Sequence, residues 1–256
     1  MKPLLELQNV SYAYHSKSGE TYALTDISFQ VQRGEFIAVT GPSGCGKSTL
    51  LSLISGLLAP ESGTILYEGQ EKTKPDGKIG YMLQKDHLFE WRTIYGNVTL
   101  GLEIQHSLDE AARQRVDRML KEYGLYRFRD ARPSELSGGM RQRAALIRTL
   151  APGPELLLLD EPFSALDFQT RLSVCDDVAQ ILKKEKKTAL LVTHDLSEAV
   201  SMADRILVLT KRPARIHSVV EPEFAQEGLT PLERRNTPEF KNYFNLLWKE
   251  LNAYGN

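Results

Sequence analysis

Cysteine is nearly absent from this chain: two occur in 256 residues, Cys45 and Cys175. They offer no metal-ligand spacing, and a reduced compartment fits them better than a disulfide-forming one. Charge of one sign is missing too. Thirty-two Lys and Arg against 33 Asp and Glu leave a formal net charge of −1, whereas a nucleic-acid binder normally carries a strong basic excess. Long apolar runs are also lacking. The longest aliphatic run, Leu156 to Leu159, is strand-sized and far shorter than the ~18 residues of a membrane span. Met1 to Gln8 hold no apolar segment of the kind a secretory signal needs. Any membrane role is therefore expected to be peripheral, through a partner. No long repeat or low-complexity segment is present. A chain that is 41% hydrophobic and 25% charged reads as globular, with a sizeable core.

What is present is concentrated first in Gly41, Pro42, Ser43, Gly44, Cys45, Gly46, Lys47, Ser48 and Thr49, directly after the apolar run Phe36 to Thr40. The spacing fits G-x-x-x-x-G-K-[ST], with Gly41, Gly46, Lys47 and Ser48 at the fixed positions. Glycines let such a loop curl so that successive backbone N–H groups point at an anion. The helix expected from about Lys47 adds its positive end. Lys47 can reach the β/γ-phosphates, and the Ser48 hydroxyl can ligate Mg²⁺. A nucleoside triphosphate is the expected ligand.

Residues 4–32 alternate apolar and polar, the period of antiparallel strands with one exposed face. Phe36–Thr40, Gly63–Tyr67 and Ile79–Leu83 read as further strands, with a polar segment at 68–78 and loop with short helix at 85–97. Asp109 to Tyr123 is helical, with Ala112, Val116, Met119 and Leu120 on one face. A strongly helical run follows Leu136-Ser137-Gly138-Gly139-Met140 and ends at Leu150. Leu156–Leu159 and Thr188–Thr193 are continuous apolar runs, the mark of buried parallel strands. A helix at 167–183 connects them, and Ile206–Leu209 is another strand. Beyond Lys211 no clear alternation remains until Glu239. There Phe240, Tyr243, Phe244, Leu247, Trp248 and Leu251 recur at helical spacing, for docking on the chain's own domain or for a partner.

Two more stations carry chemistry. A buried strand ending in Asp160 and Glu161 delivers both acids to the carboxyl edge of a sheet, where phosphate loops also open. Asp160 is then placed for Mg²⁺ and Glu161 for the attacking water. Ser137, Gly138 and Gly139 at a helix start form a second anion nest. Two nests for one triphosphate are reconciled by a head-to-tail homodimer, each nucleotide lying between one chain's phosphate loop and the other chain's Ser-Gly-Gly.

The phosphate loop, Gln84, Leu136-Ser-Gly-Gly139, Leu159-Asp-Glu-Pro162, Ser164-Ala-Leu-Asp167 and Thr193-His194-Asp195 stand in the order and spacing of an ABC transporter ATPase subunit. The resemblance runs from about residue 4 to 220. It implies an α/β fold: a P-loop NTPase (RecA-like) core with an antiparallel β subdomain and an inserted α-helical subdomain at about 88–150. Residues 221–256 are then an extension with an amphipathic helix. The resemblance implies ATP and Mg²⁺ as cofactors, with Ser48, Gln84 and Asp160 at the metal. Glu161 is the implied general base, with Lys47, Gln84 and His194 at the reacting phosphate. It implies that Ser137, Gly138 and Gly139 grip the γ-phosphate in trans and that Asp167 works across the dimer. Tyr14 matches the family's adenine-stacking aromatic, with Tyr12 as the nearby rival. Met140 departs from the family's usual Gln, which removes a side-chain hydrogen bond but spares the backbone donors.

Gly80–Gln84 and Leu88–Val98 resemble the nitrate/sulfonate/taurine import group, which also includes importers of pyrimidine-type precursors. That implies a subunit on the cytoplasmic face of the membrane. Its partners are integral permease subunits and, indirectly, an extracytoplasmic solute-binding protein, with no nucleic acid. The segment Gln84–Val98 is the expected permease contact, with Phe89 and Trp91 either anchoring a permease helix or belonging to the core. Export, or a soluble single-cassette ATPase of cofactor assembly, is the alternative. The interval from Gln84 to Ser137 has no room for the coiled coil of repair-type members. A P-loop kinase is disfavoured by the Leu-Ser-Gly-Gly nest and by Glu161 directly after Asp160.

Overall fold

The alternation over residues 4–32 becomes a pair of long antiparallel strands, β1 (Leu5–Ser16) and β2 (Gly19–Val31), paired from Leu5 opposite Val31 to Ser16 opposite Gly19 with register shifts between Leu7 and Ala13. The computed structural model describes residues 2–17, 19–164 and 166–255. They fall into two units, Met1–Asp76 with Cys175–Asn256, and Gly77–Val174.

In the first unit, β3 (Phe36–Thr40) is buried at every position. It leads through the Gly41–Gly46 loop into α1 (Lys47–Ser55), whose Leu50, Leu51, Leu53 and Ile54 are all buried. Each such side chain contributes roughly 1.5–3 kcal/mol on leaving water. β4 (Ser62–Tyr67) pairs antiparallel with β1, and the two-residue β5 (Gln70–Glu71) pairs with β4. The resulting sheet runs β2–β1–β4–β5. β5 lies in the stretch read as merely polar, because both its residues are exposed and carry no burial signal.

The second unit begins with β6 (Ile79–Met82). The α-helices α2 (Ile94–Val98), α3 (Leu100–Ile104), α4 (Glu110–Glu122) and α5 (Gly138–Leu150) follow. Asp109 caps α4 by accepting from the Ala112 amide at 2.7 Å, and the expected face of Ala112, Val116, Met119 and Leu120 is buried. α3 was not anticipated; five residues are too few to display a helical period. β7 (Leu156–Asp160), buried throughout, lies parallel to β6 with Met82 opposite Leu159.

The chain passes along α6 (Phe168–Lys184) back into the first unit. There β8 (Thr188–Val192) is wholly buried, and α7 (Leu196–Met202) precedes β9 (Arg205–Leu209). Strand β3 lies parallel to both β8 and β9. The segment beyond Lys211, read as without pattern, holds β10 (Ile216–Val220), antiparallel to β9, and the short α8 (Pro231–Arg234). As a half-exposed edge strand, β10 lacks the apolar run that marks its buried neighbours. The last helix, α9 (Pro238–Gly255), packs on α7 and buries Leu247 completely. Trp248 stays exposed in a ladder with Phe244 and Phe240, at ring spacings of 6.5 and 6.3 Å. The helix is thus docked on its own unit along one face only. No helix among the described residues is long and apolar enough to cross a membrane.

Candidate functional site

The phosphate loop leaves the carboxyl end of β3, and its shape follows from what surrounds it. Gly46 has φ +125, and a Cβ there would lie 2.9 Å from Leu24 Cδ2 and 3.0 Å from the Ala23 carbonyl oxygen. Only glycine meets both constraints. Gly46 is also the N-cap of α1, with no side-chain cap and no acidic residue in the first turn. The first amides of this helix are left for an external anion. The Lys47 ammonium is buried and donates to the carbonyls of Gly41 at 2.9 Å and Pro42 at 3.0 Å, which holds it over the loop it serves. Ser48 is exposed beside it. Cys45 is buried in the loop, and burial pushes its thiol pKa up, with Lys47 opposing.

Tyr14 is exposed at the edge of this loop, and its hydroxyl is 3.0 Å from Thr49 Oγ1. Tyr12 meets it edge-on, with ring centroids 5.1 Å apart. Of the two rings Tyr14 is the more open to a stacked base. Arg212, which the sequence reading did not single out, reaches the Gly44 carbonyl from the β9–β10 connection. Its Nε lies at 3.1 Å and its Nη2 at 2.5 Å. Ala214, two residues on, exchanges backbone bonds with Ala23 and Thr25. No local pattern around Arg212 announces this brace; only the fold brings it to the loop.

His194 follows β8, the strand beside β3, so both chains leave the same sheet edge. Its neighbours are fixed. Thr193 Oγ1 donates to Glu198 Oε2 at 2.6 Å, and Asp195 caps α7 by accepting from the amides of Ser197 and Glu198 at 2.7 and 3.3 Å. The imidazole is left exposed between two immobilised residues.

In the second unit the parallel pair β6 and β7 delivers the other groups to one edge. Asp160 is buried and accepts from the Tyr81 hydroxyl at 3.4 Å. Glu161 has φ 44, the left-handed region that few non-glycine residues occupy. Its carboxylate accepts from Gln84 Nε2 at 3.1 Å, and its carbonyl accepts from the Ser164 amide and hydroxyl at 3.2 and 3.0 Å. This turn swings the carboxylate out of the strand's line. Gln142 on α5 donates to the Pro162 carbonyl beyond it.

Ser137 caps α5 by accepting from the Met140 amide at 3.4 Å. Gly138 is exposed, whereas Gly139 packs so closely that a Cβ would sit 2.7 Å from Thr170 Cγ2. Asp167 is exposed at the start of α6 and accepts from the Thr170 amide at 3.1 Å. Hydrogen bonding to Thr170 holds its carboxyl below the usual range. Ala165, in the same motif, lies outside the described residues.

The segment after Gln84 is tied to α5. Arg141 Nε pairs with Asp86 at 3.1 Å, and Arg148 donates to the carbonyls of Asp86 and His87 at 2.6 and 2.7 Å. Burial lowers the Arg148 pKa, with Asp86 opposing. These two arginines stand seven apart on one helical face, a spacing visible in the sequence. Buried Asn97 then fixes the following loop, accepting from the Phe89 amide at 2.7 Å and donating to the Phe89 and Thr93 carbonyls at 3.1 and 2.9 Å. Trp91 projects from that loop 72% exposed, its ring 4.7 Å from Phe89. The core alternative for Trp91 is thereby excluded.

Among the described residues no group of three or more His, Cys, Asp or Glu could hold a metal. The available donors are hard oxygens in small number: the Ser48 hydroxyl, the Asp160 carboxylate and the Gln84 amide. Taken singly, each is a hard oxygen of the kind that Mg²⁺ accepts, an ion that on a nucleotide keeps most of its shell as phosphate and water.

A buried parallel strand entering an uncapped glycine loop, a second strand ending in Asp-Glu, and a Ser-Gly-Gly helix start define a class, the ATP-binding cassette ATPases. The sequence pattern of the ABC transporter family matches residues 24–164, and the chain belongs to that family. It is 48% identical to an uncharacterized ABC transporter ATP-binding protein, YtlC of Bacillus subtilis, over 97% of this chain and 96% of that one. It is 38% identical to the taurine import ATP-binding protein TauB of Roseobacter denitrificans, covering 95% and 94% of the two chains. The aliphatic sulfonates import protein SsuB of Bacillus cereus is also 38% identical, over 85% of each. Among solved structures, the dimeric post-hydrolysis state of the cassette MJ0796 with ADP and Pi superposes with a TM-score of 0.75 at 30% identity. That match covers 86% of this chain and 99% of the other.

Proposed function

We propose that this ABC ATPase powers uptake of a small solute of the sulfonate or taurine type through separate permease subunits, on the cytoplasmic face of the membrane. A solute-binding protein delivers the solute from the other side. The relatives named for taurine and sulfonate import support the solute class, and the dimeric cassette supports a paired assembly. The observation that carries the catalytic reading is the Gln84–Glu161 hydrogen bond, at 3.1 Å, on a glutamate held in the left-handed region. Such a bond orients a carboxylate toward a water, as a general base requires.

In this mechanism the phosphate loop and the first amides of α1 hold the triphosphate, with Lys47 at the β/γ-phosphates. Tyr14 stacks on the base. Ser137, Gly138 and Gly139 of the partner copy close over the γ-phosphate, and Asp167 works across that interface. Glu161 takes a proton from the water as its oxygen bonds to the γ-phosphorus and the bond to ADP breaks. His194 hydrogen-bonds the charge that develops on the transferred group. Ser48, Asp160 and Gln84 would hold Mg²⁺, which when bound neutralises phosphate charge.

Binding closes the pair, and hydrolysis reopens it. The Arg141 and Arg148 bonds to Asp86 and His87 give closure a route from the Ser-Gly-Gly helix to the loop that presents Trp91 to the permease. In the assembled transporter, Glu161→Gln should lower ATP turnover by about 10²–10⁴-fold while nucleotide binding persists. Turnover at the normal rate would sink the general-base role. Vesicles with the cognate permease and binding protein should show ATPase stimulation by an alkyl sulfonate or taurine; stimulation by an unrelated solute class alone would overturn the solute assignment.

A further inference from the structure

A cavity of about 600 Å³ opens in the first unit, at the start of β3 near Phe36, the opposite end of that strand from the phosphate loop. Its volume lies within the range of small-ligand sites. Its charge is one-sided. Among the described lining residues Arg33, Lys183, Lys186, Lys187 and Arg234 face Asp204. Arg33 is also paired with Glu68, outside the cavity. A concave surface lined by one sign of charge concentrates counter-ions in it. The floor is apolar, with Phe36, Leu182, Met202 and Pro231 buried.

Two features argue that these cations are placed rather than incidental. Lys186 ends the turn after α6 at φ 49, bonding back to Lys183, with Lys187 bonding to Leu182. This helix-ending geometry favours glycine, yet a cation stands there and lines the cavity. Arg234 donates to the carbonyls of Ser201 and Ala203 at 3.3 Å each and lies 4.9 Å from the Phe224 ring. It thereby ties the segment 228–234, whose Gly228, Leu229, Thr230 and Pro231 line the cavity, to the end of α7, aided by the Leu232 amide on Asp176 at 3.1 Å.

We infer that this cavity is a second binding site, for a small organic anion whose carboxylate, sulfonate or phosphate meets the lysines and whose apolar body lies on Phe36 and Met202. Occupancy braces the C-terminal extension against the body of the unit. The inference stands apart from the catalytic reading, since no residue of the phosphate loop takes part.

The test uses the full chain saturated with ADP and titrated with 8-anilinonaphthalene-1-sulfonate, an apolar body bearing one sulfonate. Saturable one-to-one binding is expected, together with slower amide exchange over residues 228–234. Combined Lys183→Glu and Lys186→Glu should weaken binding by about tenfold or more, and the uncharged N-phenyl-1-naphthylamine should bind more weakly by a similar factor. Lys186→Gly should raise the melting temperature, by relieving the left-handed strain, and still weaken binding. A merely structural lysine would move only the first readout. Absence of saturable binding, a charge-reversal effect below about twofold, or equal binding of the uncharged analogue overturns the inference.

Discussion

Gly139 shows what a single residue contributes here. Its backbone is not in the left-handed region, so any residue could take its conformation; what excludes a side chain is Thr170 Cγ2, 2.7 Å from where a Cβ would stand. Gly139→Ala should therefore cost about 1–3 kcal/mol, read by denaturant unfolding. Combining it with Thr170→Ser, which deletes that methyl, should restore most of the loss; no recovery in the double variant would count against steric exclusion. Glu161 is the converse case, since its φ of 44 is a strain that the turn accepting both Ser164 groups sustains. Arg212 belongs to the same scale. Its two donors on the Gly44 carbonyl hold the loop in its phosphate-binding curl. Arg212→Ala should raise the KM for ATP roughly three- to tenfold with little change in kcat, and Arg212→Lys should do less. A fall in kcat at constant KM would instead make Arg212 part of the chemical step.

At the scale of elements, short helices are held by side-chain bonds that propensity does not supply. α2 depends on the Thr93 cap, whose hydroxyl accepts from the Gly96 amide at 3.0 Å, and on buried Asn97. α3 depends on Glu103, which accepts from Arg92 at 2.6 Å and from the Thr99 hydroxyl at 2.8 Å. The Arg92 hydrogen bond holds the Glu103 carboxyl below its ordinary pKa. A depressed folded pKa gives stability that is present above the unfolded value, about 4.3 for glutamate, and is lost as pH falls through the folded one. The gap in stability between the unaltered chain and Glu103→Gln should thus be open at neutral pH and close in acid. Urea midpoints measured across that range check it, and a gap that widened in acid would reverse the assignment. Solvent screens the pair, so the effect is small.

For the whole molecule, the proposed mechanism makes each chain one half of a composite site that a second copy completes. In Mg-ATP, Glu161→Gln should elute from a sizing column as a dimer, whereas adding Lys47→Ala should return it to monomer; an ATP-independent dimer would contradict nucleotide-driven closure. The phosphate loop, Asp160-Glu161 and Ser137-Gly-Gly were legible because each is local: few residue types allow a curled backbone, a buried strand end or an N-cap. The buried strands β3, β7 and β8 were legible for a related reason, since burial on both faces demands an unbroken apolar run. β10 escaped notice because an edge strand faces solvent and carries no such run. The Arg212 brace, the Arg148 tie and the cation-lined cavity escaped for a different reason. The groups involved are distant in sequence: Arg212 from Gly44, Arg148 from Asp86, and the cavity-lining Lys183 from Arg234. The sequence by itself determined the nucleotide chemistry, through motifs whose geometry closes within a few residues. Tertiary structure alone decided which long polar side chains meet, because groups far apart in the chain come within reach only when it has folded.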